Sequence, residues 1–371
     1  MRVGIPTETK NNEFRVAITP SGVIELTRRG HEVLVQAGAG EGSALTDGDF
    51  KAAGAQLIAT ADEVWAEAEL LLKVKEPTPI EYARLRRGQT LFTYLHLAAS
   101  QACTEALLAS ETTSIAYETV QAADGSLPLL APMSEVAGRL SAQVGAYHLM
   151  RTHGGRGALM GGVPGVEPAK VVVIGGGTAG HNAARVADGM GATVTVLDVN
   201  INRLRELDTV FGGRVQTRYS TALELEQAVK DADLVIGAVL LPGAKAPKLV
   251  SNSLVAHMKP GAVLVDIAVD QGGCFDDSHP TTHDDPTFAV YDTLFYCVAN
   301  MPAAVPTTST FALTNATMPY VIELADRGWK AACRSNSALA KGLSTHDGAL
   351  LAQRVAADLG LAFTEPADVL A

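Results

Sequence analysis

The stretch KVVVIGGGTAGHNAARVADGMGATVTVLD, residues 170 to 198, leaves little freedom over the fold around it. Val171 to Ile174 form a short apolar run of the kind that makes a buried parallel strand. Gly175, Gly177 and Gly180 follow at once and open a segment with helical patterning. A second strand-like run then ends in Asp198, 18 residues after Gly180. A lone G-x-G-x-x-G says little. With a strand before it, a helix after it and an acid closing the next strand, it is the dinucleotide fingerprint. Gly175 permits the tight turn, Gly177 the approach of the pyrophosphate, and Gly180 the packing of helix on strand. The first-turn N–H groups and the helix dipole then hold the phosphates. Asp198 would accept ribose hydroxyls and repel a 2′-phosphate, so NAD is expected rather than NADP. Arg203 is the countervailing residue, since an arginine there could accommodate that phosphate.

The same strand–helix alternation runs from residue 1 to about residue 300. A first series of strands is expected at 2–5, 32–36, 70–74, 90–95 and 114–118. A second is expected at 170–174, 193–197, 234–239, 262–267 and 294–298. ELLLKVKEPTP and DLVIGAVLLPG both run from an acid through a strand to a proline, and each is followed by a glycine and another strand. The expected fold class is therefore α/β, with two doubly wound parallel-sheet domains joined by long helices, one of them a Rossmann dinucleotide-binding domain. Long helices are expected at 131–150 and 308–329, the second kinked at Pro319. A chain leaving by one helix and returning by the other makes residues 1–130 and 305–371 a discontinuous substrate domain. Residues 131–304 then form the NAD-binding domain. GGRGALMGGVPGVEP reads as a flap or turn, and Glu323 with Arg327 as a solvent ion pair.

A chain of 371 residues exceeds one core. Its net charge of −11 argues against nucleic acid or an anionic membrane as a general partner. No apolar run approaches the roughly 20 residues of a membrane span. The start, MRVGIPTE, enters a strand with no apolar leader, and Cys103, Cys274, Cys297 and Cys333 form no C-x-x-C pair. A cytoplasmic protein with reduced thiols and no structural metal is expected.

An anionic substrate would need a local basic cluster inside this acidic protein. Arg15, between Phe14 and Val16, suggests a partly sequestered guanidinium, whereas Lys73 reads as solvated. Lys75, His96, Leu240 and Asp270 all fall at strand carboxyl ends, where open parallel sheets present side chains to ligands. His96 closes TLFTYLH; taken alone it could be a packed core histidine or a proton-transfer group. Asp270 could equally cap a helix.

Over essentially its whole length the chain resembles the alanine dehydrogenase family. The resemblance runs from Gly4 through Pro6, Glu8, Asn12, Glu13, Arg15 and Pro20 to Gly30. It continues in LLLKVKEP, LHLAA, LLAPMSEVAGR, VDIAVDQGGC and NMPAAVPTTST. Gly176 departs from it, alanine being common there. The resemblance implies NAD-dependent oxidative deamination of L-alanine to pyruvate and ammonium, reversible as reductive amination. It implies Arg15 and Lys75 as substrate ligands, His96 as general acid/base and Asp270 as the second catalytic group. Around NAD it places Ser134, Thr178, Ala179, Asp198, Arg203, Ser220, Val239, Leu240, Ile267, Ala268, Val269, Val298, Ala299, Asn300 and Met301, beside Gly175, Gly177 and Gly180. It also implies a homohexamer. The rival readings are the nucleotide-binding part of a transhydrogenase, a saccharopine- or opine-type dehydrogenase, and an NAD-binding sensor without catalysis. His96 with Asp270 speaks against the transhydrogenase, and the joint presence of Arg15, Lys75, His96 and Asp270 against the sensor.

Overall fold

The computed structural model describes residues 1–239 and 246–371. It divides into two compact units, Met1–Met133 with Val305–Ala371, and Ser134–Ala304. The chain leaves the first unit within the helix Ala131–His148 and re-enters it just ahead of the helix Pro306–Ser335.

The first unit is built on β1 (Arg2–Ile5), β2 (Glu32–Gln36), β3 (Gln56–Ile58), β4 (Leu70–Leu72), β5 (Thr90–Thr93) and β6 (Thr113–Ala116). The second carries β7 (Lys170–Ile174), β8 (Thr193–Asp198), β9 (Gln216–Tyr219), β10 (Leu234–Gly237), β11 (Val263–Asp266), β12 (Thr287–Val290) and β13 (Thr293–Tyr296). Residues near the C-terminus return to the first unit as β14 (Leu343–His346) and β15 (Ala349–Leu350). The strand orders are β15-β14-β6-β5-β4-β1-β2-β3 and β12-β13-β11-β10-β7-β8-β9. Pairing is parallel except at three edge contacts: β14 with β6, β15 with β14 and β12 with β13 are antiparallel. The sheets are therefore mixed at their edges rather than wholly parallel.

The central strands are mostly apolar, as LLL, KVVVI and VLVD show, because helices cover both faces. Leu34, Trp65, Leu71, Leu91 and Leu107 share one core. Val172, Leu197, Val235, Leu264 and Phe295 share the other. Each such side chain contributes about 1.5–3 kcal/mol by leaving water. Thr46 with Asp49 and Thr60 with Glu63 close capping boxes that start two of the helices.

Three expectations need correction. The helix Pro306–Ser335 carries Pro319 inside it, but its non-helical residue is Gly328, at φ 73° and ψ 158°. Glu323 does not pair with Arg327; it accepts from Ser335 Oγ at 2.9 Å and Asn336 Nδ2 at 2.8 Å, tying that helix to the turn after it. Lys73 is not solvated. It is fully buried, with its Nζ 3.0 Å from both Glu8 and Glu81.

Candidate active site

In the first unit, four neighbouring strands end side by side, and each carboxyl end delivers an ionisable residue. Glu8 follows β1, Lys75 follows β4, His96 follows β5 and Glu118 follows β6. Glu8 Oε1 accepts from the N–H of Val74 at 2.6 Å, and Oε2 lies 3.4 Å from that of Lys75. The carboxylate bonded to Lys73 thus also fixes the backbone that carries Lys75. Burial pushes the Glu8 carboxyl up, against the opposing pull of the Lys73 charge. Thr93 Oγ donates to the Lys75 carbonyl at 3.0 Å, so β5 holds the same turn from its other side.

Arg15 is buried, as is its partner Glu13. Its Nε and Nη2 donate to the two oxygens of Glu13 at 2.6 and 2.5 Å, and Nη1 to Met133 Sδ at 3.0 Å. The guanidinium also faces the charge of Glu8 and the ring of Tyr94. A cleft of about 500 Å³ opens over this loop, lined by Glu8, Lys10, Asn12, Glu13 and Arg15 among others. Nothing in one sequence announces that Glu13 would be consumed in fixing Arg15.

His96 is half-buried and follows a strand that stops earlier than expected, at Thr93 rather than at residue 95. Its backbone is left-handed, at φ 47° and ψ 41°. That costs a residue with a β-carbon about 1–2 kcal/mol. The imidazole stacks on Tyr94 at 5.9 Å and 10°. The Tyr94 hydroxyl donates to the Leu129 carbonyl at 2.5 Å, and burial pushes its phenol well up, so it stays protonated.

In the second unit the glycine loop follows β7 and opens the helix Thr178–Gly189. Gly175 has φ 97°, a conformation glycine supplies. A β-carbon on Gly180 would lie 1.8 Å from the Gly175 carbonyl oxygen, so glycine is required for helix and turn to meet. A β-carbon on Gly177 would meet nothing within 4 Å, and its φ of −62° is ordinary. The chain itself does not need glycine there, and the position is open. Asp198 Oδ2 accepts from the N–H of Gly176 and Oδ1 from that of Asn200, both at 2.7 Å. Arg203 Nε donates to the Gly176 carbonyl at 2.6 Å, and Nη1 to Glu206 at 2.7 Å. At Gly176 a β-carbon would come 2.8 Å from Leu207 Cδ1 and 3.2 Å from Asp198 Oδ2, which suits glycine at that position.

The other nucleotide candidates gather at the same sheet end. Ser220 follows β9, Val239 follows β10, Ile267, Ala268 and Val269 follow β11, and Val298, Ala299, Asn300 and Met301 follow β13. Leu240 lies outside the described residues. Thr178 and Ala179 start the motif helix, and Ser134 lies one turn before Gly138, whose ideal β-carbon would be 2.1 Å from the Ala179 carbonyl oxygen. This set fits a dinucleotide: an open glycine cradle at a helix N-terminus, with a carboxylate at the next strand end.

Asp270 is exposed, in the short turn Val269–Gln271. The loop that carries it is organised by Asp266, which is buried. Asp266 accepts from the N–H of Ala268 at 3.0 Å and of Cys274 at 2.7 Å, and from Ser278 Oγ at 2.5 Å. Burial pushes the Asp266 carboxyl up, against these hydrogen bonds. A separate cleft of about 400 Å³ lies at the amino ends of β7 and β10. Its charges pair among themselves: Arg156 with Asp233 at 2.8 Å, and Lys259 with Asp233 at 3.3 Å.

Two family models match the chain, "Alanine dehydrogenase/PNT, N-terminal domain" over residues 4–137 and "Alanine dehydrogenase/PNT, C-terminal domain" over residues 141–353. The chain is 82% identical to the alanine dehydrogenase of Mycobacterium tuberculosis over 371 residues, all of both chains. A solved L-alanine dehydrogenase superimposes with a TM-score of 0.94 at 51% identity, covering 97% of this chain and 99% of the other. A transhydrogenase structure from Sinorhizobium meliloti superimposes with a TM-score of 0.80 at 25% identity, covering 95% and 99%.

Proposed function

We propose that this chain, which belongs to the alanine dehydrogenase/PNT family, is an NAD-dependent oxidoreductase that interconverts L-alanine with pyruvate and ammonium. The observation that carries the reading is full-length identity of 82% to an alanine dehydrogenase, against 25% to a transhydrogenase. The buried Arg15 and Lys75 support it, because they supply cationic groups for an oxo acid inside an acidic protein.

Gly175, Gly177, Gly180, Thr178, Ala179, Asp198 and Arg203 hold the dinucleotide, with Ser220, Val239, Ile267, Ala268, Val269, Val298, Ala299, Asn300 and Met301 at the same sheet end. Bound NAD supplies the acceptor for the hydride on the amino acid's Cα. Glu13 holds the guanidinium of Arg15 through Nε and Nη2, and Arg15 so fixed supplies the positive charge for the substrate carboxylate. Lys75 polarises the oxygen that becomes the carbonyl. Loss of hydride leaves an iminium that water attacks, and His96 takes the proton from that water; histidine is the side chain that changes charge nearest neutral pH. Asp270 accepts a hydrogen bond from the resulting carbinolamine. Expulsion of ammonia then gives pyruvate, and amination runs the same protons backwards. Deamination needs a neutral His96 and amination a charged one. We read the protein as a cytoplasmic homohexamer, a reading supported by its family resemblance and its buried thiols. No helix among the described residues is long and apolar enough to cross a membrane.

His96→Ala tests the mechanism. Loss of about 10²–10⁴-fold in kcat is expected, with NADH affinity and Tm retained. A destabilised but fully active variant would return His96 to the packed core.

A further inference from the structure

The left-handed backbone of His96 persists only where its surroundings over-determine it. The peptide after His96 is held by its carbonyl, which accepts from the N–H of Ala99 at 2.9 Å. The peptide before it is held by a side chain. In the ladder, Thr93 of β5 stands opposite Ala116 of β6. Two residues further on, β6 has turned away into the short turn Tyr117–Thr119, and its backbone no longer offers β5 a partner. The Glu118 carboxylate occupies that place. Its Oε1 accepts from the His96 N–H at 2.7 Å, and the Leu95 N–H lies 3.3 and 3.2 Å from Oε1 and Oε2. Two consecutive N–H groups directed at one carboxylate orient both peptide planes leading into His96, and a charged acceptor makes these bonds stronger than a neutral one would.

We propose that Glu118 is a positioning residue for His96: it fixes the left-handed turn that sets the direction of the imidazole, without touching substrate. The proposal rests on the reading of His96 as the proton-transfer group. Glu118 follows β6, the strand paired with β5, which His96 follows, and it acts through backbone bonds that no neighbouring side chain duplicates among the described residues.

A double-mutant cycle on the full-length enzyme tests it, with kcat and KM for pyruvate, NADH affinity and Tm measured on each variant. Displacing a catalytic group by about 1 Å costs on the order of 10²-fold, so Glu118→Ala should lower kcat by about 10–100-fold and leave the NADH affinity unchanged. Glu118→Gln should recover part of this, because its amide oxygen still accepts from the His96 N–H while its NH₂ cannot serve Leu95. In a His96→Ala background Glu118→Ala should change kcat by less than about twofold, since the two residues act as one unit. Independent, multiplying losses would overturn the proposal, as would a Glu118→Ala enzyme that loses Tm but keeps kcat. If Glu118→Ala does not fold, Glu118→Gln carries the same cycle. Full activity in His96→Ala alone would end the proton-transfer reading and this proposal with it, an outcome distinct from a normal Glu118 variant beside an impaired His96 one.

Discussion

Glu13 and Arg15 form a buried, two-point ion pair two residues apart, with contacts of 2.6 and 2.5 Å. Each partner needs the other, because a lone charge in that environment is strongly disfavoured. Arg15→Ala should raise the KM for pyruvate and alanine far more than that for NADH, since only the former carry a carboxylate. It should also lose about 3–5 kcal/mol of stability by breaking this buried ion pair. Arg15→Lys should restore stability better than KM, because an ammonium lacks the fork. Steady-state kinetics beside denaturant unfolding check both, and an unchanged pyruvate KM would remove Arg15 from the substrate site.

Lys73 bridges Glu8 and Glu81 in the core of the first unit. Lys73→Met should therefore cost about 3–5 kcal/mol, because two buried carboxylates lose the ammonium between them. A change within about 0.5 kcal/mol, the usual effect of a surface substitution, would contradict the pairing. As Glu8 also holds the backbone of Lys75, the pyruvate KM should rise in the folded fraction.

Gly177 and Gly180 should respond to alanine in opposite ways. Gly180→Ala drives a β-carbon into the Gly175 carbonyl and should destabilise the second unit whether or not nucleotide is present. Gly177→Ala meets no protein atom and should leave Tm unchanged or slightly raised. Its NAD affinity should fall, since the new methyl stands where the pyrophosphate approaches. Thermal unfolding and NAD titration on both variants separate them. An unaltered NAD affinity in Gly177→Ala would mean that no phosphate approaches this loop.

Asp198 accepts backbone hydrogen bonds from both sides of the strand end, so its carboxylate is held in place, and the proposed reading has it accept from ribose hydroxyls. Asp198→Gly should weaken NAD by about 1–3 kcal/mol and raise NADP use relative to NAD. Wild-type enzyme that already used both equally would show that this strand end does not select the cofactor.

How far the fold was legible depended on where each strand lies in its sheet. β1, β2 and β7 keep the bounds read from the sequence, 2–5, 32–36 and 170–174. The segment 90–95 reads as one strand, yet the strand ends at Thr93. Tyr94 and Leu95 continue the run because they are buried. β9, QTRY, and β3, QLI, leave no apolar run to find, since edge strands are short and half-exposed. The glycine loop was fully legible, because its spacing is local. Lys73 was not: its partner Glu8 lies 65 residues away. Glu118 was missed for the same reason, since it acts on a backbone 22 residues upstream and leaves no mark in its own neighbourhood.

The central claim is that this chain oxidises L-alanine with NAD, and one measurement addresses it directly. Purified wild-type enzyme is given NAD and a panel of single amino acids, with formation of NADH followed by absorbance. It is then given NADH, ammonium and a matching panel of oxo acids. L-Alanine should reduce NAD far faster than larger, acidic or basic amino acids do, and pyruvate with ammonium should reoxidise NADH. Activity with alanine no higher than with the rest of the panel, in both directions, would contradict the account.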